Sequence, residues 1–208
     1  MEPFKTLTSI VAPLDRANVD TDQIIPKQFL KRIERTGYGD FLFFDWRQTP
    51  DGAPVADFVL NDARYKGAKI LVAGRNFACG SSREHAAWAL SDFGFRVVIA
   101  PTFADIFFSN AGKNGIVLVR LSDADVNVLL ENAQRIPNYQ LTVSLEAQTV
   151  TDGREFSAKF EIDPFRKFCL MEGLDDIGLT LRHAAELDKF EKQHDGASWL
   201  KAKVIEAV

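Results

Sequence analysis

The sequence predicts an α/β fold built on a mixed sheet, and three observations support this. Short apolar runs alternate with helical patterns between residues 69 and 133, which is typical of parallel strands joined by helices. One strand, over 6–13, precedes this region. Two more strands follow, over 139–146 and 155–162, on either side of an Asp-Gly turn at Asp152 that indicates a β-hairpin.

Apolar periodicity and the residues that end each run place the other elements. In the alternating region we predict strands over 69–73, 96–100 and 116–119, and helices over 81–93, 102–111 and 122–133. Pro26 favours a short helix over 27–35, and a short strand is expected within 55–60. Pro164 begins a helix that ends at Gly173.

Apolar residues at helical spacing predict a last helix over 174–192. The 208 residues are therefore expected to form a single domain, with a core over 1–173 and a helical C-terminal extension over 174–208. No internal repeat interrupts this organisation.

Composition excludes several classes of protein. The net charge of −4 and the lack of a basic run argue against a nucleic-acid-binding protein. No apolar run approaches the roughly 20 residues of a membrane helix, and the first residues do not resemble a signal peptide. Two cysteines make no disulfide framework, so we expect a cytoplasmic, reduced protein. The 17 phenylalanines are many, and some of them are expected on a partner surface.

The most informative segment is 74–86, a glycine-bounded loop between a predicted strand and a predicted helix. Ser81, Ser82 and Arg83 stand together at the start of that helix. Backbone N–H groups at a helix N-terminus, hydroxyls and a guanidinium form a suitable environment for an anion. Arginine pairs well with carboxylate or phosphate because its guanidinium forms two parallel hydrogen bonds. The segment therefore predicts a binding site for an anionic substrate.

Ser81 has two interpretations that the sequence does not separate. Ser81 and Glu84 have the spacing of a capping box, in which each side chain satisfies a backbone N–H at the helix start. A hydroxyl placed among such N–H groups is also a candidate general base, since those groups stabilise an alkoxide.

The residue spacing in this segment excludes three other functional motifs. Five residues separate Gly74 from Gly80, and Ser81 stands where a phosphate-binding P-loop needs lysine. Cys79 has no histidine at a spacing that suggests a catalytic pair, and His85 lacks the second histidine of a zinc motif. A packed or hydrogen-bonded His85 is expected.

A second polar segment, 18–26, carries Asp20 and Asp22. These residues resemble the start of a calcium loop, but Ile25 occupies the position that requires glycine. Local turn formation is the default for such aspartates. The functional alternative is a loop that orders Lys31 and Arg32 at the edge of a site.

Over nearly its full length the chain resembles the small subunits of bacterial 3-isopropylmalate dehydratase, which are equivalent to the mobile swivel domain of aconitase. The resemblance rests on four segments in the right order, 18–26, 76–86, 103–115 and 168–181. One departure is Ala78, where the family usually has glycine. The resemblance implies an aconitase-like swivel domain whose mixed sheet is partly open, barrel-like and flanked by helices.

The resemblance also implies roles for individual residues. Ser81 corresponds to the serine that removes the substrate proton in aconitase, and Ser82 and Arg83 correspond to residues that help to bind a substrate carboxylate. The segment after the Asp-Thr-Asp motif carries substrate recognition in the family. Here that segment contains Lys31 and Arg32, preceded by Phe29 and Leu30. Supporting positions within the matching segments are Asp20, Asp22, Asn76, Cys79, Glu84 and His85.

Aconitase-type chemistry uses a [4Fe–4S] cluster held by three cysteines, and Cys79 and Cys169 cannot supply that ligand set. The resemblance therefore implies that this chain binds no metal and that a large subunit brings the cluster, in a heterodimer or heterotetramer that acts on a dicarboxylate. The implied enzyme is a hydro-lyase of leucine biosynthesis. The sequence leaves three alternatives: a related hydratase acting on homoaconitate, citraconate or maleate, a non-catalytic binding subunit, and a serine hydrolase. The hydrolase lacks its Gly-x-Ser-x-Gly motif.

Overall fold

A computed structural model describes residues 1–32, 34 and 36–194 of the chain. Its internal contacts divide the chain into two compact units, Met1–Gly173 and a second unit that begins at Leu174. The first unit contains the sheet and the candidate site.

A seven-stranded mixed sheet is the centre of the first unit, with strand order β4-β3-β2-β1-β5-β6-β7. Its strands are β1 (Thr6–Leu14), β2 (Ile70–Ala73), β3 (Val97–Ala100), β4 (Val117–Arg120), β5 (Gln140–Ser144), β6 (Thr149–Thr151) and β7 (Ser157–Lys159). Strands β1 to β4 pair in parallel, whereas β5, β6 and β7 continue the sheet from β1 in antiparallel pairs. The predicted mixed α/β fold is therefore confirmed.

Helices cover both faces of the parallel half. They are α1 (Thr21–Ile24), α2 (Phe44–Arg47), α3 (Glu84–Phe93), α4 (Asp105–Lys113), α5 (Asp123–Arg135) and α6 (Pro164–Glu172). One apolar cluster joins one face of the sheet to α3 and α4, and a second cluster joins the other face to α5 and α6. Every residue of β2 is fully buried because the strand is covered on both sides.

Four segments differ from the predictions. The helices expected from residues 81 and 102 begin three residues later, at Glu84 and Asp105. The region 55–60 contains no strand, and its last two residues belong to a short 3₁₀ helix, Val59–Asn61. The helix expected over 27–35 is a 3₁₀ helix, Lys27–Lys31. Residues 33 and 35 of that prediction lie outside the described residues.

The predicted hairpin over 139–162 is a three-stranded meander. Strand β6 was missed because the sequence predicted one turn, at Asp152, where the structure has two. The extra turn lies between β5 and β6, and Gln148 adopts a positive φ of 54° there. Glutamine gives no turn signal of the kind that glycine, asparagine or proline gives.

Between residues 174 and 194, the part of the second unit that the structure describes, there are two helices where the sequence predicted one over 174–192. They are α7 (Asp176–Leu181) and α8 (Ala184–His194). Asp175 caps α7 by accepting a hydrogen bond from the Gly178 N–H at 2.7 Å. Among the described residues of the whole chain, no helix is both long and apolar enough to cross a membrane.

Candidate active-site cleft

Two loops that are far apart in sequence run side by side at one end of the sheet. One follows β1 and the other follows β2, and parallel strands bring their carboxyl ends to the same edge. Asn18 donates its N–H to the carbonyl of Arg75 (2.9 Å), Cys79 to that of Val19 (3.1 Å), and Thr21 to that of Cys79 (2.9 Å). The segments 18–26 and 76–86, both singled out from the sequence, are thus joined through their backbones.

The loop after β3 completes this arrangement. Phe77 donates its N–H to the Thr102 carbonyl (3.0 Å), and Ala104 donates to the Phe77 carbonyl (3.1 Å). The hydroxyl oxygen of Thr102 accepts the N–H of Asn76 at 2.8 Å. Thr102 therefore ties two loops together, and α4 begins three residues after it, at Asp105.

The loop after β2 alternates between ordinary and left-handed backbone. Asn76 (φ 57°), Ala78 (φ 59°) and Gly80 (φ 93°) all have positive φ. Asparagine and glycine tolerate this conformation, but for alanine it costs roughly 1–2 kcal/mol. Ala78 therefore carries local strain, which the glycine implied by the resemblance at this position would not carry.

Ser81 does not cap α3, so the capping-box prediction is wrong. The residue before the helix is Arg83, in an extended conformation and without a side-chain cap. Ser81 is held outside the helix because its carbonyl accepts the Thr21 hydroxyl at 2.9 Å. Ser81 and Ser82 are both exposed, and their hydroxyls make no hydrogen bond to any described residue. Both hydroxyls can therefore meet a ligand.

Arg83 is buried and paired with Asp22. Its Nη1 donates to Asp22 Oδ1 (2.6 Å) and its Nη2 to Asp22 Oδ2 (2.9 Å), a bidentate pair that joins the two loops. Nη1 also donates to the Ile25 carbonyl at 3.3 Å. These contacts use Nη1 and one hydrogen of Nη2. The other edge of the guanidinium consists of the Nε hydrogen and the second hydrogen of Nη2, and it has no partner among the described residues. Asp22 thus fixes the direction in which Arg83 can offer hydrogen bonds.

Asp20 acts on local structure. It accepts the Gln23 N–H at 2.7 Å, while Gln23 Oε1 accepts the Asp20 N–H at 2.9 Å. This reciprocal pair is a capping box that starts α1. The local turn role predicted as the default for these aspartates therefore holds for Asp20, and the turn that it fixes places Asp22 beside Arg83.

A cleft of about 230 Å³ lies where the loops meet. One side is formed by Ser81, Ser82 and Arg83 ahead of α3, and the other by residues 104–107 at the start of α4. Two helices thus begin at this cleft, and the positive ends of their dipoles favour a negative charge inside it. The cleft is suited to an anion that also has an apolar part, since Ile106 and Phe107 are among its lining residues.

Three further predicted residues, Cys79, Glu84 and His85, are held by contacts outside the cleft lining. Cys79 Sγ lies 3.5 Å from the Asn18 carbonyl, in the loop pairing. His85 packs on Tyr38 and Trp88, as predicted, and burial lowers its pKa. Glu84 is exposed in the first turn of α3 and accepts a long hydrogen bond, 3.5 Å, from the Asn114 side chain.

The two basic residues predicted at the edge of the site are not drawn into it. Arg32 pairs with Glu34 (3.6 Å) and lies over the ring of Phe41 (5.0 Å). Lys31 is exposed and forms no ion pair with any described residue. Neither side chain lines the cleft.

Sequence reasoning did not select every residue at this site. Thr21 and Ile106 line the cleft, whereas Lys27 lies outside the lining, 4.0 Å from Asp22. Thr21 and Ile106 stand inside segments that the sequence analysis had already singled out, but only the fold shows that they meet. Lys27, next to Pro26, gave no separate signal.

Comparison with known proteins agrees with this architecture. Residues 1–124 match the model of the aconitase C-terminal domain, and residues 127–164 match LeuD_N. Residues 176–203 match the model of the C-terminal domain of 3-isopropylmalate dehydratase small subunits. The fold and the cleft thus define a domain of the aconitase C-terminal, or swivel, class.

Within that class the chain belongs to the family of 3-isopropylmalate dehydratase small subunits. It is 70% identical over 200 residues to the 3-isopropylmalate dehydratase small subunit of Acidobacterium capsulatum, covering 96% of this chain and 94% of that protein. It is 60% identical to the one of Koribacter versatilis, covering 93% of this chain and all of that protein. A crystal structure of 3-isopropylmalate dehydratase (leuD) from Methanocaldococcus jannaschii shares the fold, with a TM-score of 0.66, 23% identity and coverage of 88% and 99%.

Proposed function

We propose that the chain is the small subunit of a 3-isopropylmalate dehydratase. The enzyme would be a hydro-lyase that interconverts 2-isopropylmalate and 3-isopropylmalate by dehydration and rehydration, in leucine biosynthesis. The observation that carries the proposal is the cleft itself. There, two serine hydroxyls without a hydrogen-bond partner in the described part of the chain, and an arginine fixed by Asp22, lie beside the beginnings of two helices. The names of relatives at 56–70% identity support the same assignment.

The chain requires a partner under this proposal. A [4Fe–4S] cluster supplies the Lewis acid in aconitase-type dehydration, and it is held by cysteine thiolates. This chain has two cysteines, and its described residues contain no group of three histidine, cysteine, aspartate or glutamate side chains able to hold a metal ion. The residues here do not fit the cluster, so we assign it to a large subunit that closes the open side of the cleft.

Ser81 would act as the base that takes the substrate proton. Its free hydroxyl has far too high a pKa for this, but the positive ends of α3 and α4 stabilise an alkoxide at the cleft. On rehydration the same oxygen returns the proton. The Ser81 hydroxyl has no hydrogen-bond partner among the described residues, so it is free to meet the substrate. The backbone N–H contacts that the sequence argument expected for it are not formed, and the proposed stabilisation of the alkoxide therefore depends on the two helix dipoles.

Ser82 and Arg83 would hold a substrate carboxylate. Arg83 lines the cleft, one edge of its guanidinium has no partner among the described residues, and Asp22 keeps the other edge fixed. The bidentate pair means that little side-chain entropy is lost when substrate binds, since the arginine is already ordered. Ile106 supplies an apolar surface at the mouth of the cleft, where 52% of its area is exposed.

The experiment that tests the proposal is alkene formation from 2-isopropylmalate, followed by ultraviolet absorbance. The chain is assayed alone and after anaerobic mixing with the cluster-bearing large subunit from the same organism. Activity should require both chains and should favour isopropylmalate over citraconate, maleate and homoaconitate. Preference for one of those other acids would assign the chain to a sister hydratase, and activity of the chain alone would contradict the shared site.

A further inference from the structure

The charges around Asp22 leave one positive charge without a counterpart. Asp22 carries a single negative charge, and two cations lie against it: Arg83 in the bidentate pair and Lys27, whose Nζ is 4.0 Å from Asp22 Oδ2. Since one carboxylate neutralises one cation, the group of three has a net charge of +1. No other anion forms an ion pair with Lys27 or Arg83 among the described residues.

The unmatched charge is accessible at Lys27. The Arg83 side chain is only 8% exposed, and its guanidinium makes two close contacts with the carboxylate. The Lys27 side chain is 76% exposed, and its distance of 4.0 Å is at the limit of an ion pair. A strongly hydrated ammonium on a flexible stem can turn from Asp22 to an incoming anion at little cost.

The backbone fixes where Lys27 begins. Ile25 and Pro26 are buried, and the Ile25 carbonyl accepts a hydrogen bond from Arg83. Lys27 then opens a 3₁₀ helix two residues further on. The start of the lysine side chain is therefore held relative to Arg83, a residue that lines the cleft.

From this arrangement we propose that Lys27 binds the second carboxylate of the dicarboxylate substrate. Arg83 and Ser82 hold one carboxylate in the cleft, and the Lys27 ammonium, leaving Asp22, pairs with the other at its edge. A dicarboxylate brings two negative charges. The positive charge of Arg83 is already matched by Asp22, so Arg83 alone cannot neutralise either carboxylate fully. This inference rests on the proposed function and adds a substrate-binding residue that the sequence analysis did not select.

The test compares Lys27→Met with Lys27→Arg and with Lys69→Met in the reconstituted two-subunit enzyme, using 2-isopropylmalate. Lys69 is a matched control: it is exposed, its substitution removes the same charge, and it precedes β2 at the opposite end of the sheet. Lys27→Met should raise KM about tenfold or more, as expected for loss of a hydrogen bond to a charged group, and change kcat by less than about threefold. Lys27→Arg should restore KM to within about threefold of the wild-type value, since it keeps the charge.

Three results would overturn the inference. They are an unchanged KM in Lys27→Met, an equal rise of KM in Lys69→Met, and a loss confined to kcat. The thermal midpoint of the isolated chain should be the same for Lys27→Met and wild type, because an exposed ion pair adds little stability. Wild-type activity in the same assay tests the proposed function separately, so failure of the Lys27 inference leaves that function intact.

Discussion

Two segments next to the cleft are held in place by different kinds of contact. The loop over 75–83 forms several backbone hydrogen bonds to the loops after β1 and β3. In the second segment, of which residues 27–32 and 36–44 are compared, aromatic side chains make many of the contacts. Phe29 stacks on Phe41 with ring centroids 4.1 Å apart and meets Phe44 edge-on at 4.9 Å. Backbone hydrogen bonds are kept when most side chains are substituted, whereas contacts between rings change whenever one of the rings is replaced.

This difference suggests a division of roles. A loop held by its backbone can keep Ser81 in one position while the side chains around it vary, which suits the proposed proton transfer. A segment held by aromatic packing can be reshaped by one substitution, which suits recognition of the group that distinguishes related dicarboxylates. Four sets of substitutions test this division, beginning with the largest expected effect.

The largest effect is expected for Ser81→Ala in the reconstituted enzyme. Removing a general base typically costs roughly 10²–10⁴-fold, and we expect kcat to fall by about 10³-fold. The free energy of unfolding of the isolated chain should change by less than about 0.5 kcal/mol, because the hydroxyl caps no helix. The matched variant Ser82→Ala should instead act mainly on KM. A loss of only a few-fold in Ser81→Ala would favour a binding role over proton transfer.

Phenylalanines of the two segments should respond differently to truncation. Phe77 is fully buried and packs edge-on against Phe103 and Phe107, so Phe77→Ala should lower the free energy of unfolding by roughly 3–5 kcal/mol. Phe29 is only partly buried, and Phe29→Ala should cost about 1 kcal/mol while shifting the preference between isopropylmalate and citraconate. Urea unfolding and the ratio of kcat/KM values measure the two effects. Equal destabilisation by both substitutions would contradict the division.

The next largest effect on stability is expected for Asp22 of the 18–26 segment, with Asp20 as its matched control. Asp22→Asn removes the charge partner of a buried arginine and should destabilise the chain by roughly 1–3 kcal/mol, less than for a fully buried pair because Asp22 is 43% exposed. Asp20→Asn should change stability by less than about 0.5 kcal/mol, because asparagine caps a helix as well as aspartate does. Urea unfolding compares them. Similar losses in both variants would show that Asp22 does not hold Arg83 in solution.

The parallel half of the fold was predictable because its signals are local. Buried strands such as β2 are continuous apolar runs, and the helices between them have clear periodicity. The starts of α3 and α4 were not predictable, since Ser81 and Thr102 have the chemistry of capping residues but are drawn into contacts with other loops. Strand β6 is three residues long, too short for a periodic signal.

The candidate site follows the same rule. The sequence singled out Ser81, Ser82 and Arg83 because they stand together, and it singled out Asp22 in a separate segment. It could not show that Asp22 and Arg83 form a pair, because 61 residues separate them and only the parallel pairing of β1 with β2 brings them together. The same limit applies to Lys27, because its position beside Asp22 depends on the turn that Asp20 starts.

The smallest effect, expected for Ala78→Gly, tests whether backbone conformation holds the 75–83 loop. Ala78 has a φ of 59°, and replacing it with glycine removes a strain of roughly 1–2 kcal/mol while adding about 0.4–1 kcal/mol of unfolded-state entropy. The net result should be stabilisation by up to about 1.5 kcal/mol, seen as a rise of at most about 6 °C in the thermal midpoint. Ala124→Gly, at an exposed position in α5, is the control and should lose roughly 0.5–1 kcal/mol.

The opposite signs expected for Ala78→Gly and Ala124→Gly make the comparison decisive. If both variants lose stability, Ala78 does not adopt the left-handed conformation in solution, and the hydrogen bond from Cys79 to Val19, which follows directly from that turn, must be reconsidered. If Ala78→Gly gains stability but loses activity, the strained alanine limits the motion of the serines that follow it. The glycine usual in the family would then give a more stable loop but a less fixed Ser81, which is a trade-off that backbone strain allows at a functional site.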